Sequence, residues 1–302
     1  MHNKMNYFIW LAIFFSLFTT TSLFADVTDD DKGLEDNMTF HVYDDVDLVS
    51  TLKFEYGKPR IIIKSVYPQL ASETAHDGVD DFNQLALEIV TDEIAQFRNR
   101  VKENSPVQKT MDKKTITNNL YIDYNTSYLK PAKDHIISIR FSIQGYIGGD
   151  KRPYHHYVTL NYNLDKNQRI ALSDLFFADT NYLNTLSTYS YGVLQKRLPD
   201  KSKIASGTAP LAENFAAFNL KPNGLLITFN RDQVTSSIFG AQTILIPYSA
   251  LDQIISPDSP IANCIEHPGK CMRNHLVTGG FIDEALNADT THGALNPVLG
   301  QL

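Results

Sequence analysis

Two hydrophobic periodicities divide the chain into helices and strands. Apolar residues recur at steps of three and four from Asp77 to Lys102, and again from Tyr182 to Leu198, so both stretches predict amphipathic helices. Alternating runs rich in β-branched and aromatic residues predict strands over much of the rest. The clearest of these runs cover residues 39–43, 52–56, 60–67, 120–124, 136–143, 157–164, 218–229 and 243–247.

The order of these elements indicates the fold class. The strands come in groups that two helices interrupt, whereas a doubly wound parallel sheet would alternate strands with helices. The glycine-containing segment 148–153 lies between two long runs and predicts a long hairpin, and residues 221–224 predict a tighter one. We therefore expect an α+β fold with antiparallel sheets and two main amphipathic helices.

The first 25 residues have the composition of an export signal. Lys4 precedes an apolar run over residues 7–18, and small and polar residues follow it up to Ala25. A basic start, a short apolar segment and a small residue at the cleavage site are the parts of a secretory signal. The run has 12 residues, fewer than the ~20 that a membrane-spanning helix needs. The sequence predicts cleavage after Ala25 and a soluble mature chain that is periplasmic or secreted.

The charge balance argues against a nucleic-acid partner. Without residues 1–25 the chain holds 26 basic and 34 acidic residues, a net charge of −8. Binding to nucleic acid depends on clustered Lys and Arg side chains that neutralise phosphates. The acid-rich segment 26–37 has few apolar groups and is predicted to be a disordered leader.

Two cysteines lie close together late in the sequence, at Cys264 and Cys271. In the oxidising compartment that an export signal implies, they predict a disulfide that closes a short loop. His267 and His275 lie in the same segment, so a zinc site of two cysteines and two histidines is an alternative, although its spacing matches no common zinc motif. A pair of free thiols is the third interpretation.

The most distinctive polar segment is the predicted hairpin tip with its return strand. It contains Gly148, Gly149, Asp150 and the adjacent pair His155 and His156. Adjacent strand residues face opposite sides of a sheet, so the two histidines are not expected to bind one metal ion, and no cofactor is predicted. The glycines do not form a phosphate-binding loop, because neither a helix start nor a Lys-Ser/Thr pair follows them.

Known catalytic motifs are missing from the sequence. It has no G-x-S-x-G elbow, no H-E-x-x-H helix and no S-x-x-K with its supporting motifs. The prediction is therefore a protein that is not an enzyme. A glycosidase needs only two well-placed carboxylates, so a cell-wall glycan hydrolase is the alternative.

Several segments follow one another in the order of a known family. They are Ile139–Gly149, His156, Leu160–Asp165, Ile170–Phe176, Phe218–Phe229, Gly240 and Ile244–Tyr248. In this order they resemble the RsiV-like extracytoplasmic domain, which occurs in the lysozyme-sensing anti-sigma-V factor and beside the catalytic domain of some peptidoglycan deacetylases. Residues 61–101 are similar to the smaller α+β unit that commonly precedes it. The family pattern has a small residue and a histidine directly after the paired glycines, whereas here Asp150–Tyr154 intervenes.

The resemblance implies a division of the chain. A smaller α+β unit with the long helix would cover residues 38–130, an RsiV-like α+β domain residues 131–256, and an irregular tail with the cysteine pair residues 257–302. None of the matching segments is catalytic. The resemblance implies less about function than about fold, because members of the family recognise lysozyme or occur with cell-wall enzymes, and many have no assigned role.

These observations lead to one main hypothesis, a cell-envelope binding or sensing protein whose partner is a lysozyme-like hydrolase or peptidoglycan. A structural envelope protein without a small ligand is a further alternative. The candidate binding residues are Gly148, Gly149, Asp150, His155, His156, Tyr157 and Tyr162. Tyrosines on an exposed sheet can stack on sugars or anchor a protein contact, and packing of Tyr157 and Tyr162 in the core is the competing interpretation.

Overall fold

Strands dominate the structure, a computed structural model that describes residues 40–43, 45–58, 60–74, 77–112, 116–131, 134–267 and 271. The described strands form a seven-stranded sheet and a three-stranded sheet. Those of the larger sheet are β1 (Phe40–Tyr43), β2 (Val46–Gly57), β3 (Ile61–Ser72), β4 (Asn118–Leu129), β5 (Ile136–Tyr146), β6 (Tyr154–Asn163) and β7 (Gln168–Arg169). Those of the smaller sheet are β8 (Phe218–Lys221), β9 (Gly224–Phe229) and β10 (Gln242–Pro247).

Five helices accompany the two sheets in the described part of the chain. They are α1 (Asp77–Glu103), α2 (Ser105–Gln108), α3 (Tyr182–Leu194), α4 (Lys201–Gly207) and α5 (Ala262–Glu266). The two predicted amphipathic helices correspond to α1 and α3, and the strands form both predicted hairpins, β5–β6 and β8–β9. The α+β class is therefore confirmed.

The long helix α1 follows directly from its sequence. Its apolar stripe is buried, acidic residues Asp77 and Asp80 lie in its first turn, and basic residues Arg100 and Lys102 lie in its last. Charges in this arrangement favour the helix because they oppose the partial charges at its two ends. The predicted limits of this helix, 77 and 102, differ from the observed limits by at most one residue.

One strand pair departs from the expected antiparallel arrangement. Strands β3 and β4 are parallel neighbours, and α1 connects them. The 27 residues of α1 span about 40 Å, so the helix carries the chain from the end of β3 back to the side of the sheet where β3 begins. A crossover of this kind makes the next strand parallel, whereas a hairpin would make it antiparallel.

The helix α1 covers one face of the seven-stranded sheet and forms the first hydrophobic core with it. Phe82 and Phe97 of α1 are fully buried in this core, and so are strand residues Ile63, Leu120 and Phe141. The ring of Phe82 lies edge-on to the ring of Tyr162, with 5.9 Å between ring centroids. The helix–sheet interface thus provides the main apolar burial in this half of the molecule.

The three-stranded sheet forms a second core with α3, α4 and α5. Its fully buried residues include Phe215, Leu220 and Ile246. A disulfide joins Cys264 to Cys271, whose Cα atoms are 5.1 Å apart, and both cysteines belong to this core. The disulfide prediction is confirmed, and the bonded sulfurs do not form the zinc site that was the alternative.

A buried polar network fixes the smaller sheet against β5 and β6. Ser138 Oγ donates to Asn161 Oδ1 at 2.6 Å and accepts from Asn219 Nδ2 at 2.9 Å. Asn161 Nδ2 in turn donates to the carbonyl of Phe218 at 3.0 Å. Buried amides and hydroxyls need such partners, so the network selects one docking position. In that position the smaller sheet packs on β4, β5 and β6.

The predicted division of the chain maps onto the structure only in part. The boundary between residues 130 and 131 falls between β4 and β5, which are paired neighbours in one sheet. The predicted signal, residues 1–25, and the predicted leader, residues 26–37, lie outside the described residues. Within the described ranges, no helix is both long enough and apolar enough to cross a membrane.

Candidate functional site

One face of the seven-stranded sheet carries a straight row of side chains across five strands. Strand register places these residues directly opposite one another, which puts their side chains on the same face. The row consists of Phe54, Lys64, Tyr121, Gln144 and His155. This side of β2–β6 faces away from α1, and the smaller sheet covers part of it at β4–β6. We call the part that carries the row and is not covered by the smaller sheet the open face.

Large apolar side chains concentrate on the open face. Phe54, Tyr121 and Tyr56 are 51%, 44% and 78% exposed, and Leu52 lies beside them on β2 with 46% exposure. The described part of the chain has nine exposed large apolar side chains, and these four share one surface. A cluster of this kind is characteristic of a binding surface, whereas scattered single residues need no explanation.

The alternation along β2 is the reverse of that in an ordinary half-buried strand. The apolar residues Phe54 and Tyr56 face outward, and the charged residues Lys53 and Glu55 lie on the side of α1. Arg98 of α1 forms an ion pair with Glu55 there, and Lys53 Nζ lies 3.0 Å from Glu55 Oε1. The side of β2 that faces α1 thus carries ion pairs, and the aromatic residues of β2 lie on the open face.

Two charged residues lie in the middle of the open face. The Lys64 ammonium lies over the Phe54 ring, 5.5 Å from its centroid. Burial raises the pKa of Asp123 to about 6, although the backbone N–H of Tyr124 and the charge of Lys64 both act to lower it. Asp123 lies directly opposite Ser142 in the β4–β5 pair. A partly desolvated carboxyl group beside a lysine and exposed aromatics is typical of functional surfaces.

His155 and Tyr157 lie at the β6 end of the open face. His155 Nε2 is 2.8 Å from Ser142 Oγ, and its ring centroid is 4.7 Å from that of Tyr157. The guanidinium of Arg140 lies 4.9 Å from the centre of the Tyr157 ring. Burial, together with the charges of His156, Arg231 and Arg140, lowers the pKa of His155 to about 4. His155 is therefore neutral at physiological pH.

His156 lies on the opposite face from His155. Its Nε2 atom is 3.0 Å from Glu93 Oε1, a carboxylate of α1 that is 8% exposed. The structure thus places the two adjacent histidines on different sides of the sheet, as strand geometry predicts. His156 contacts the helix and is not part of the open face, which corrects its place among the candidate binding residues.

Tyr162 is a core residue, and this too is a correction. Its side chain is 1% exposed, its ring packs on Phe82, and its hydroxyl donates to Asn167 Oδ1. Its position on β6, five residues beyond Tyr157, places it on the opposite side of the sheet. The packing interpretation therefore holds for Tyr162, whereas Tyr157 lies at the edge of the open face.

The paired glycines have a structural function in the turn after β5. The Gly148 N–H donates to Asn118 Oδ1 at 3.0 Å, and its carbonyl accepts from Asn104 Nδ2 at 3.0 Å. Gly149 has a φ of +101°, which side chains rarely tolerate, and Asp150 Oδ1 lies 3.3 Å from Asn104 Nδ2. These contacts attach the turn to the end of α1, away from the row of aromatics.

A small pocket adjoins the open face at β6. Its volume is about 240 Å³, and Tyr157, Arg169, Glu213, Asn230 and Gln233 supply most of its polar lining. The Tyr157 N–H donates to Asn230 Oδ1 at 2.8 Å, so this side of β6 is held by a side chain rather than by another strand. Among the residues that the structure describes, no group of three His, Cys, Asp or Glu side chains converges as metal ligands.

Sequence reasoning missed most of the open face. The residues that it overlooked are Phe54, Lys64, Tyr121 and Asp123, although the run 52–56 was recognised as a strand. The alternation along this run shows which residues share a side of the strand, but it does not show which side other elements cover. Apolar residues in a strand are normally assigned to the core, so these were not predicted to be exposed. In the sequence, only the charged residues between Leu52 and Tyr56 indicate that the aromatic side of this strand is exposed. The structure gives the reason, because Arg98 of α1 forms an ion pair with Glu55 on the other side.

Comparison with known proteins gives a family-model match for part of this chain. Residues 173–249 match the family model "Protein of unknown function (DUF3298)". A stretch of 167 residues, 54% of this chain, is 30% identical to the peptidoglycan-N-acetylmuramic acid deacetylase PdaC of Bacillus subtilis strain 168. The matched stretch is 34% of that protein, so the chain spans about a third of the length of this curated relative.

Two solved structures match this chain over most of its length. A DUF3298 family member from Bacteroides fragilis NCTC 9343 matches 73% of this chain and 97% of its own, with a TM-score of 0.50 and 15% identity. A DUF3298 family protein from Pseudomonas aeruginosa PAO1 matches 70% of this chain and 94% of its own, with a TM-score of 0.41 and 10% identity. The similarity to the Bacteroides fragilis protein supports the fold and says nothing about function. Residues 173–249, which match the DUF3298 model, hold the three-stranded sheet but not the open face.

Proposed function

We propose that this protein is a non-catalytic recognition module of the cell envelope that binds the glycan of peptidoglycan through its open face. The observation that carries this proposal is the group of exposed aromatic side chains on the open face, Phe54 and Tyr56 of β2 and Tyr121 of β4. Aromatic rings offer flat apolar surfaces that can stack on the apolar faces of sugar rings. The similarity to a peptidoglycan deacetylase and the predicted export signal support an envelope location.

The dimensions of the open face suit an extended polymer. The row crosses five strands, hence four inter-strand steps of about 4.8 Å, or roughly 19 Å in total. Phe54 and Tyr121 lie in this row, with one strand between them. A surface of this length can contact several consecutive sugars at once.

Binding to insoluble peptidoglycan tests the proposal. We expect the purified protein to co-sediment with peptidoglycan sacculi, and Phe54→Ala and Tyr121→Ala each to weaken that binding about 5- to 30-fold, the range for removal of an aromatic anchor. Both side chains are about half exposed, so their loss removes contact surface without opening a cavity in the core. The measurement is the bound fraction as a function of peptidoglycan concentration.

The matched control for these variants is Phe177→Ala. Phe177 is 44% exposed and follows the 3₁₀ turn Leu172–Leu175, outside the open face. Its replacement is expected to leave binding unchanged. Wild-type protein that stays in the supernatant, or a Phe177 variant that loses as much binding as the Tyr121 variant, would show that the open face does not bind this glycan.

A lysozyme-like protein is the second candidate partner, and the motif resemblance favours it. An exposed apolar surface rimmed by polar residues serves protein contacts as well as sugar contacts. Calorimetric titration with c-, g- and i-type lysozymes separates the two partners, because heat with a lysozyme but no retention on sacculi identifies a protein ligand.

Glycan hydrolysis is the second candidate activity, and the raised pKa of Asp123 favours it. A carboxylic acid with a pKa of about 6 that lies on an open sheet resembles the general acid of a glycosidase. Mass spectrometry of peptidoglycan incubated with the protein decides between recognition and hydrolysis. Recognition predicts that no soluble fragments are released.

A further inference from the structure

Lys64 lies inside the row, between the aromatic residues Phe54 and Tyr121, rather than at its end. Its neighbours across the strands are Phe54 on β2 and Tyr121 on β4, and its ammonium lies over the Phe54 ring. Within the described residues, no carboxylate forms an ion pair with Lys64. A lysine that is held on an aromatic ring and has no ion pair can still bind an anion.

The open face is more positive than the molecule as a whole. The chain has a formal net charge of −7. On the open face, however, the charged side chains of β3 and β4 are Lys64 and Asp123, whose formal charges balance. Arg140 of β5 is only 6% exposed and donates to Thr228 under the smaller sheet. Arg231, which follows β9, lies close enough to His155 to affect it electrostatically. The open face thus lacks the net negative charge of the rest of the chain, and Lys64 supplies the cation that attracts an anionic ligand.

The position of Lys64 determines which part of a bound ligand meets its charge. A ligand that stacks on Phe54 and Tyr121 must pass over the strand between them, which is the strand that carries Lys64. An anionic group at that point on the ligand meets the ammonium directly, whereas a neutral group forms no ion pair with it.

We propose that the open face selects glycans whose sugars carry carboxylate groups, with Phe54 and Tyr121 stacking on sugar rings and Lys64 pairing with the carboxylate between them. This inference rests on the proposed function and narrows its ligand class. Two sources share this chemistry: a carboxylate on an ether-linked lactyl group, as in muramic acid, and a uronic acid.

The test compares soluble oligosaccharides of equal length by calorimetric titration of the purified protein. The probes are a neutral N-acetylglucosamine oligomer, an oligomer containing N-acetylmuramic acid and a uronate-containing oligomer. We expect an acidic oligomer to bind about tenfold more tightly than the neutral one, near the lower end of what a hydrogen bond to a charged group provides, with a preference that declines as salt is raised. The acidic oligomer that binds more tightly identifies the source of the carboxylate.

Variants at two lysines of neighbouring strands assign the preference to one side chain. Lys64→Gln is expected to bind acidic and neutral oligomers equally, and Lys64→Arg to retain the preference for acidic ones. Lys53→Gln is the matched control, since it removes the same charge from β2 on the side that faces α1, where Lys53 pairs with Glu55. It is expected to behave like the wild type.

The binding results distinguish a failure of this inference from a failure of the proposed function. Equal affinity of the wild type for acidic and neutral oligomers would overturn the inference while glycan binding itself stands. A preference that survives Lys64→Gln would also overturn it. Failure of every oligomer and of sacculi to bind would overturn the proposed function, and the inference with it.

Discussion

Phe82→Ala is expected to lower the free energy of unfolding by about 3–5 kcal/mol, the usual cost of truncating a buried phenylalanine. Phe82 is fully buried between α1 and the sheet, and its ring lies edge-on to that of Tyr162. Removal of the ring leaves a cavity at the interface that α1 forms with the strands carrying the open face. Denaturation in guanidinium chloride, followed by circular dichroism, measures this change.

Leu87→Ala is the control for that experiment. Leu87 lies on the same helix but is 41% exposed, so its truncation is expected to change stability by less than about 1 kcal/mol. If the two variants were destabilised equally, or if Phe82→Ala cost less than about 1 kcal/mol, the interface between α1 and the sheet would not be the core described above.

Asp123→Asn is expected to stabilise the protein at pH 8 by about 1–2 kcal/mol, and the gain should disappear toward pH 4. Burial raises the pKa of Asp123 in the folded state to about 6, from an ordinary 3.8. The folded state therefore binds the proton more tightly than the unfolded state, and this group's contribution to stability falls as pH rises from about 4 to about 6. A shift of about two units corresponds to about 3 kcal/mol at most, and partial solvent access reduces it.

The measurement is the free energy of unfolding of the wild type and Asp123→Asn at several pH values between 4 and 8. Asparagine keeps the shape of the side chain and an oxygen that can accept from the Tyr124 N–H, so the comparison isolates the charge. Asp92→Asn, on the exposed side of α1, is expected to change stability by less than about 0.5 kcal/mol at every pH. A difference between wild type and Asp123→Asn that is constant with pH would contradict the assignment.

The elements of the fold could be predicted from the sequence because local periodicity determines them. The helix α1 has a long apolar stripe with suitable charges at both ends, and the hairpins β5–β6 and β8–β9 have turn residues between alternating runs. The parallel pairing of β3 with β4 could not be predicted in this way. It results from the way α1 packs on the sheet, which is a tertiary property that no local pattern encodes.

The candidate site could be predicted only in part. Strand alternation separated His155 from His156, but it did not show which of the two faces solvent, and Tyr162 was grouped with Tyr157 although it lies on the other side of β6. Phe54 and Tyr121 were missed because apolar residues in a strand are normally core residues. Their exposure depends on where the smaller sheet packs, and the buried network around Ser138 and Asn219 decides that position.

The most direct test of the account is a residue-resolved NMR titration of the isotope-labelled protein with soluble peptidoglycan fragments. Glycan recognition by the open face predicts chemical-shift changes that cluster on β2–β6 at Phe54, Lys64, Tyr121 and His155, and that are absent from the helix side of the same strands. Shift changes confined to the three-stranded sheet or to α1, or no changes at saturating ligand, would contradict it.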